Sequence, residues 1–297
     1  MMSGFSFRIP NPESVRFAFM PVFISSLNSG SNGNCYYVGN DQDAVLIDAG
    51  ISCRETERRM KQQGLDMSRL RAIFITHEHV DHISGIKSIS KKYKLPVYAT
   101  AGTFKTSNLD VDGGIMTTIQ AFETIRIGDL AVTGFPKQHD ASDPLSFFIS
   151  CAGINIGVIT DVGTACEDVV RHFKECHAVF LETNYDEKLL DEGPYPLHLK
   201  KRIRSRVGHL SNHDALNMFL EHRAPFLGYL LLSHLSEQNN SPELVEELFS
   251  KYAGNTKIVI APRSRASGVF CIESDVLNHF VSQKKQAPAF FVQGKLF

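Results

Sequence analysis

The sequence lacks paired cysteines. It has six, none in a Cys-x-x-Cys pair: Cys35, Cys53, Cys151, Cys166, Cys176 and Cys271. A cysteine-based structural zinc site or a disulfide framework needs thiols in a suitable pairing or spacing. Because most of the six lie in apolar surroundings, we predict buried free thiols and a reducing compartment.

Long apolar segments are also absent. No apolar run approaches the roughly 18 residues of a membrane helix. The first 16 residues contain Pro10 and Pro12 where an export signal has an uninterrupted apolar core. We therefore expect a soluble cytoplasmic protein with no membrane partner, in which residues 1–16 form an N-terminal arm. A homodimer is compatible with the sequence but is not required by it.

A strong charge of either sign is the third absence. The formal net charge is -1 over 297 residues, which excludes a globally basic surface for nucleic acid. Contact with a polyanion must then come from a local patch. The 43% hydrophobic content suffices for a large core, and we predict a single domain over residues 1–297.

One segment concentrates metal-binding side chains. The apolar run 71–76 leads directly into His77-Glu78-His79-Val80-Asp81-His82. Since uncompensated buried polar groups cost on the order of several kcal/mol, this position favours a metal site over a solvated polar loop. On an extended backbone His77 and His79 point to the same side, and Asp81 and His82 follow at a turn or helix start. Imidazole and carboxylate without thiolate suit Zn, Mn or Fe.

Other predicted strands also end in metal-binding residues. The strands near 130–135, 154–160 and 227–232 are followed by three such side chains: His139, Asp161 and His234. Strand ends that converge at one edge of a sheet sandwich build a site. We assign His77, His79 and His139 to one ion. Asp81, His82 and His234 are assigned to a second ion, and Asp161 bridges the two. Two ions about 3.5–4 Å apart clamp an attacking hydroxide and offset phosphoryl charge.

Two features of the N-terminal half are open to two interpretations. The small polar residues 28–34 leave backbone N–H groups free for an anion, but an ordinary turn between strands fits equally well. Asp48 follows the apolar strand 44–47. It is either a helix N-cap or the acceptor that orients a metal-binding histidine.

A basic run precedes a histidine in the C-terminal half. Five cations fall within seven positions: Lys200, Lys201, Arg202, Arg204 and Arg206. A solvated helix face and a substrate-facing patch are both open. His209 follows in a Gly-His-Leu-Ser-Asn turn, where a histidine protonates a leaving oxygen or holds a phosphate.

The order of elements indicates the fold class. Strand pairs without intervening helices, such as the hairpin predicted at 35–39 and 44–47, alternate with strand–helix units, such as the one that includes the helix predicted at 83–93. The helices become more frequent late in the chain. A doubly wound parallel sheet rarely contains such pairs, so we predict an α/β (α+β) fold with four layers, an αββα sandwich.

These residues together resemble the metallo-β-lactamase superfamily. The segment 76–82 matches its signature, Asp48, His139, Asp161 and His234 match its other motifs in order, and the resemblance spans about residues 17–272. Within the superfamily the chain is similar to the bacterial YycJ/WalJ group of cytoplasmic exonuclease-like proteins. The matching stretches are 26–36, 199–203 with 208–212, and 234–240.

The resemblance implies a function and roles for individual residues. It implies a phosphodiesterase with two Zn or Mn ions that acts on nucleic acid, as a 5′-to-3′ DNA exonuclease whose metal-bridging hydroxide attacks phosphorus. Asp81 and His209 are then catalytic, and Asp48 and Asp140 support the metal ligands. The predicted substrate and terminal-phosphate residues are Ser29, Ser31, Asn34, Asn184, Lys201 and Arg202. The sequence departs from nucleases with an inserted β-CASP domain or a long flexible arm, so it does not predict binding of a long duplex.

Other functions compete with the exonuclease. The first alternative is a small-molecule phosphodiesterase that hydrolyses cyclic phosphates with the same ligand set. A thioester hydrolase and a true β-lactamase are less favoured, because the polar loop 28–34 does not suit the first and no export signal supports the second. A metal-stabilised binding module without catalysis is the non-enzymatic alternative.

Overall fold

A computed structural model describes residues 20–109 and 116–273. Within these ranges the strands form two seven-stranded mixed sheets. The strands are β1 (Val22–Asn28), β2 (Cys35–Gly39), β3 (Ala44–Ile47), β4 (Leu70–Phe74), β5 (Val97–Ala99), β6 (Met116–Thr118), β7 (Thr124–Ile127), β8 (Leu130–Pro136), β9 (Leu145–Cys151), β10 (Ile154–Ile159), β11 (Ala178–Glu182), β12 (Tyr229–Ser233), β13 (Lys257–Ile260) and β14 (Phe270–Ile272).

Nine α-helices lie within the same ranges. They are α1 (Cys53–Gln62), α2 (Val80–Ile83), α3 (Ile86–Tyr93), α4 (Ala101–Ser107), α5 (Glu167–Phe173), α6 (Glu187–Glu192), α7 (Leu197–Ile203), α8 (Asn212–His222) and α9 (Pro242–Ser250). Side-chain caps begin several of them. Ser52 accepts a hydrogen bond from the Glu55 N–H at the start of α1, and Ser241 does the same for Leu244 before α9.

Strand order places the two halves of the chain in separate sheets. One sheet runs β14-β1-β2-β3-β4-β5-β6 and the other β13-β12-β11-β10-β9-β8-β7. In each sheet an antiparallel part joins a parallel part, for example at β2–β3–β4 and at β9–β10–β11. The parallel strands need crossover connections, and helices supply them.

Alternation along the strands produces the four layers. In β4, Ala72 and Phe74 pack into the core between the sheets, while Ile73 faces a second core shared with α1 and α3. A third core lies between the other sheet and helices α5, α8 and α9. The predicted αββα sandwich is therefore confirmed.

Several local predictions are confirmed and others are corrected. The bounds of β2 and β3 match the prediction, whereas β4 ends at Phe74, two residues early. In place of the single helix predicted at 83–93, α2 and α3 are separated by Ser84 and Gly85. A Cβ added at Gly85 would lie 1.9 Å from the Ile51 carbonyl oxygen. The six cysteines are free as predicted, but only three of them, Cys35, Cys151 and Cys176, are buried. Cys53 and Cys166 are partly buried, and Cys271 is exposed.

The predicted N-terminal arm, residues 1–16, lies outside the described residues, and the single domain stays a prediction. No helix in the described ranges is long and apolar enough to cross a membrane.

Candidate metal centre

The first group of donors consists of three histidines from two loops. His77 and His79 follow β4, and His139 follows β8. The His77 Nε2 atom lies 3.0 Å from Nδ1 of His79, which is 3.4 Å from Nε2 of His139. One ring nitrogen from each residue fits within a 4.8 Å cluster. Because β4 ends before these residues, the loop that follows it brings His77 and His79 together, not the alternation of an extended strand.

The second group combines a carboxylate with two histidines. Asp81 and His82 lie in the short helix α2, and His234 directly follows β12. The Asp81 Oδ2 atom is 3.5 Å from His82 Nε2 and 3.7 Å from His234 Nε2. These three donors also lie within 4.8 Å of one another.

Asp161 lies between the two groups. Its Oδ2 atom is 3.3 Å from His82 Nε2, and its Oδ1 atom is 3.4 Å from His234 Nδ1 and 4.0 Å from His139 Nε2. The carboxylate is buried. Burial alone raises a carboxyl pKa, but His234 and His82 hold the pKa of Asp161 well below its ordinary value. A carboxylate that reaches both groups is suited to bridging two cations.

Three site residues adopt left-handed backbone conformations at strand ends. The φ angles of Asp48, Asp161 and His234 are 60°, 55° and 59°. Each such conformation costs a non-glycine residue about 1–3 kcal/mol and persists only where the surroundings impose it. At each position the chain leaves its strand direction just where the side chain enters the site.

Asp48 orients His82 from behind. Its Oδ2 atom accepts a hydrogen bond from His82 Nδ1 at 2.7 Å, and its two oxygens also accept from the Thr76 N–H and hydroxyl. The opposite nitrogen, Nε2, then faces Asp161. Burial lowers the pKa of His82, but Asp161 and Asp48 outweigh it and raise that pKa to about 10. The contact favours the orienting role of Asp48, while Ser52 caps α1.

His139 is oriented from the segment after α7. Its Nδ1 atom donates to the Gly208 carbonyl oxygen at 3.0 Å, which leaves Nε2 for the donor cluster. Burial, assisted by the nearby Lys137 charge, lowers the pKa of His139 to about 4, so the ring is neutral at pH 7. Asp140 lies 3.5 Å from His139 Nε2 and accepts from Arg202 Nε at 2.5 Å.

Glu182, at the end of β11, is a site residue that the sequence interpretation missed. Its buried Oε1 atom accepts from Nδ1 of His209 at 2.8 Å and from Nδ1 of His234 at 3.0 Å. Burial would raise the pKa of Glu182, but these two histidines lower it to about 2. An acidic residue after the buried run Ala178-Val179-Phe180-Leu181 was the available signal, since Asp48 and Asp161 stand at similar strand ends.

The donor cluster fits divalent metal ions. Asp161 Oδ2 and His234 Nε2 are buried without a hydrogen-bond partner among the residues that the structure describes. Such orphaned polar atoms are costly unless another group satisfies them. Burial also holds the pKa of His77 well below its ordinary value, so its ring is neutral and available as a ligand. Imidazole and carboxylate donors without thiolate match Zn, Mn or Fe.

The predicted phosphate loop 28–34 is mostly occupied by internal contacts. Ser29 is buried, and its hydroxyl accepts from the His234 N–H at 2.7 Å. Asn34 is buried as well and donates to Asp81 Oδ2 at 3.2 Å and contacts His82 Nε2 at 3.0 Å. The side chains of Ser29 and Asn34 hold the protein's own site, and their contact with a terminal phosphate stays a prediction. Ser31 is exposed.

A cleft beside the donor cluster collects most of the other predicted residues. Its lining includes Ser31, Asn184 and Arg202 from the predicted substrate set, together with Asp140 and His209. The His209 Nδ1 atom is 3.8 Å from Asp161 Oδ1, so the cleft opens at the donor cluster. Lys201 is exposed on α7.

Comparisons with known proteins agree with this architecture. The beta-lactamase superfamily domain model matches residues 43–234. The exodeoxyribonuclease YycJ of Bacillus anthracis is 35% identical over 76% of this chain and 86% of its own length. The exodeoxyribonuclease WalJ of Streptococcus pneumoniae is 30% identical over 74% of this chain and 84% of its own.

A solved structure shares the fold. The metallo-β-lactamase fold protein YhfI of Bacillus subtilis superposes with a TM-score of 0.64 over 85% of this chain and 99% of its own, at 18% identity. At that identity the similarity shows the fold. The domain match covers more than half of the chain. The chain belongs to the metallo-β-lactamase superfamily.

Proposed function

We propose that this protein is a metal-dependent 5′-to-3′ exodeoxyribonuclease that uses two divalent metal ions, Zn or Mn. The observation that carries the proposal is the pair of three-donor groups joined by Asp161 and opening into a cleft with an arginine. The names of the relatives from B. anthracis and S. pneumoniae support DNA as the substrate. The cytoplasmic location and a homodimer stay predictions.

We assign the metal ligands from the distances between donor atoms. His77, His79 and His139 would hold one ion and Asp81, His82 and His234 the other, and Asp161, which lies beside both groups, would serve both. When bound, two such ions lower the pKa of water and neutralise charge on a phosphoryl group.

Side chains around the donor cluster complete the chemistry. Glu182 holds His209 through Nδ1, so the second ring nitrogen of His209 is free for the cleft, where it can donate a proton to the leaving oxygen. Asn34 holds Asp81 through Oδ2 and so fixes the carboxylate among the donors. Arg202, whose side chain is 58% exposed, attracts substrate phosphate at the cleft mouth.

A time course on end-labelled duplex DNA tests the function. The metal-analysed protein is incubated with 5′-phosphate or 5′-hydroxyl duplex in Mn²⁺, Zn²⁺ or EDTA. We expect stepwise loss from the 5′ end, faster with 5′-phosphate and abolished by EDTA. His77→Ala removes a ligand and should abolish activity, whereas His213→Ala, on exposed α8 surface, should not. DNA that stays intact with both metals refutes the exonuclease, and cyclic phosphates would then test the small-molecule alternative.

A further inference from the structure

The segment from α6 to α7 forms one wall of the cleft. We name residues 187–203 the α6–α7 hairpin. Leu190 and Ile203 of the hairpin are buried together with Tyr185, which precedes it, and Tyr195 and Leu199 pack against them. These residues form a small apolar core. This core is separate from the three that hold the sheets and the other helices. The hairpin is therefore packed as a unit against the edge of the site.

The wall that the hairpin presents to the cleft is apolar and includes an aromatic ring. Tyr195, Leu199 and Ile203 line this side. The lining also contains polar side chains, Ser31, Asn184 and Ser236, from the loops after β1, β11 and β12. The cleft has a volume of about 150 Å³, so it has room for more than a water molecule.

The cleft carries charged side chains beside the donor cluster. Arg202 and Asp140, paired at 2.5 Å, are both in its lining. His209 also lines it and lies 3.8 Å from Asp161. A group held in the cleft is thus within reach of the donor cluster and of a cation.

We infer that the cleft binds the base of the 5′-terminal nucleotide, with the Tyr195 ring stacked on its face. This inference rests on the proposed exonuclease function. A nucleobase has an apolar face, which suits the apolar residues of the lining, and a polar edge, which suits the polar ones. Arg202 is then available for an adjacent phosphate. Because every base has a π face, stacking of this kind accepts all four bases.

Substitutions at Tyr195 combined with a base-deleted substrate test the inference. Two 5′-phosphorylated duplexes are compared, one with a normal terminal nucleotide and one whose terminal nucleotide is an abasic tetrahydrofuran. We expect the wild-type kcat/KM to be about 5- to 150-fold higher on the base-bearing end, the range of one base–aromatic stack. Tyr195→Leu keeps apolar packing but removes the ring, so the ratio should fall towards one. Tyr195→Phe keeps the ring and should keep the ratio.

Tyr252→Ala is the matched control. That tyrosine is 47% exposed just beyond α9, remote in the fold from the α6–α7 hairpin, and its substitution should leave the ratio at the wild-type value. Equal wild-type rates on the two ends, or a ratio unchanged in Tyr195→Leu, overturn the base subsite while the exonuclease stands. A wild-type protein inactive on both ends overturns the exonuclease itself, and the base subsite with it.

Discussion

Replacing Glu182 by glutamine tests how the site positions its histidines. One carboxylate oxygen accepts from His209 and His234, and the other accepts from the backbone N–H groups of Val162 and Leu210. Glutamine keeps only one of these oxygens. Whichever way its amide turns, its NH₂ group opposes two N–H donors, and the negative charge is lost.

The magnitude follows from the bonds that are lost. A hydrogen bond to a charged group contributes about 1.5–3 kcal/mol. If His209 loses that interaction in the transition state, kcat/KM falls by about 10- to 150-fold. The unpaired buried donors should also lower the free energy of unfolding by about 1–3 kcal/mol.

Steady-state kinetics on 5′-phosphorylated duplex at saturating metal measure the effect, and elemental analysis records the metal content. Saturating metal matters because groups that orient metal ligands also change metal affinity, by about 10- to 100-fold. Glu246→Gln, an exposed acidic residue of α9, is the matched control. A kcat/KM for Glu182→Gln within threefold of the wild type would refute the positioning role.

Three further predictions concern stability and are measured by urea denaturation. Asn34→Leu removes the side-chain oxygen that accepts a hydrogen bond from the Gly30 N–H. The unpaired N–H should lower the free energy of unfolding by about 1–3 kcal/mol. Gly50→Ala places a Cβ 1.6 Å from the Asp81 carbonyl oxygen and should lower the free energy of unfolding by about 1–3 kcal/mol. Hydrogen bonds from Arg58 and Arg59 lower the pKa of Glu55 to about 2. Because that pKa is depressed in the folded state, Glu55→Gln should cost about 1 kcal/mol above pH 4.5. The difference should vanish as the pH falls from 4.5 towards 2.

Each stability prediction has a contrary outcome. Gly228→Ala meets its nearest atom only at 3.7 Å and should be tolerated, so equal losses at Gly50 and Gly228 would contradict the close-approach argument. A Glu55→Gln difference that persists at pH 2 would exclude the ionised carboxylate as its cause. An unchanged free energy of unfolding in Asn34→Leu would show that the Gly30 N–H finds another hydrogen-bond partner, such as water.

Secondary-structure elements and metal donors whose patterns lie within a short stretch of residues could be predicted from the sequence. The strand pair β2–β3 was predicted with its observed bounds, because hydrophobic alternation and turn residues are local signals. The three histidines and the one aspartate of 76–82 stand within seven positions, so their convergence needs only one loop. His139, Asp161 and His234 were predicted from their position after apolar strands, and sheet order brings those strand ends to one edge.

The roles of single polar residues could not be predicted in the same way. Ser29 and Asn34 look like free polar loop residues, yet both are buried because loops distant in sequence close over them. Glu182 acquires its partners 27 and 52 positions further along the chain. No local pattern contains such pairs, and their energies depend on burial, which is a property of the whole fold.

The sequence by itself determined the layer pattern, the donor types and the family, since hydrophobic periodicity and ligand chemistry are carried by neighbouring residues. The tertiary structure decided the orientation of those donors. It placed Asp48, Asp161 and His234 in left-handed conformations, set Glu182 behind two histidines, and packed the α6–α7 hairpin beside the site. The physical reason is that strained backbone and buried charge are stable only when contacts from several distant segments offset their cost.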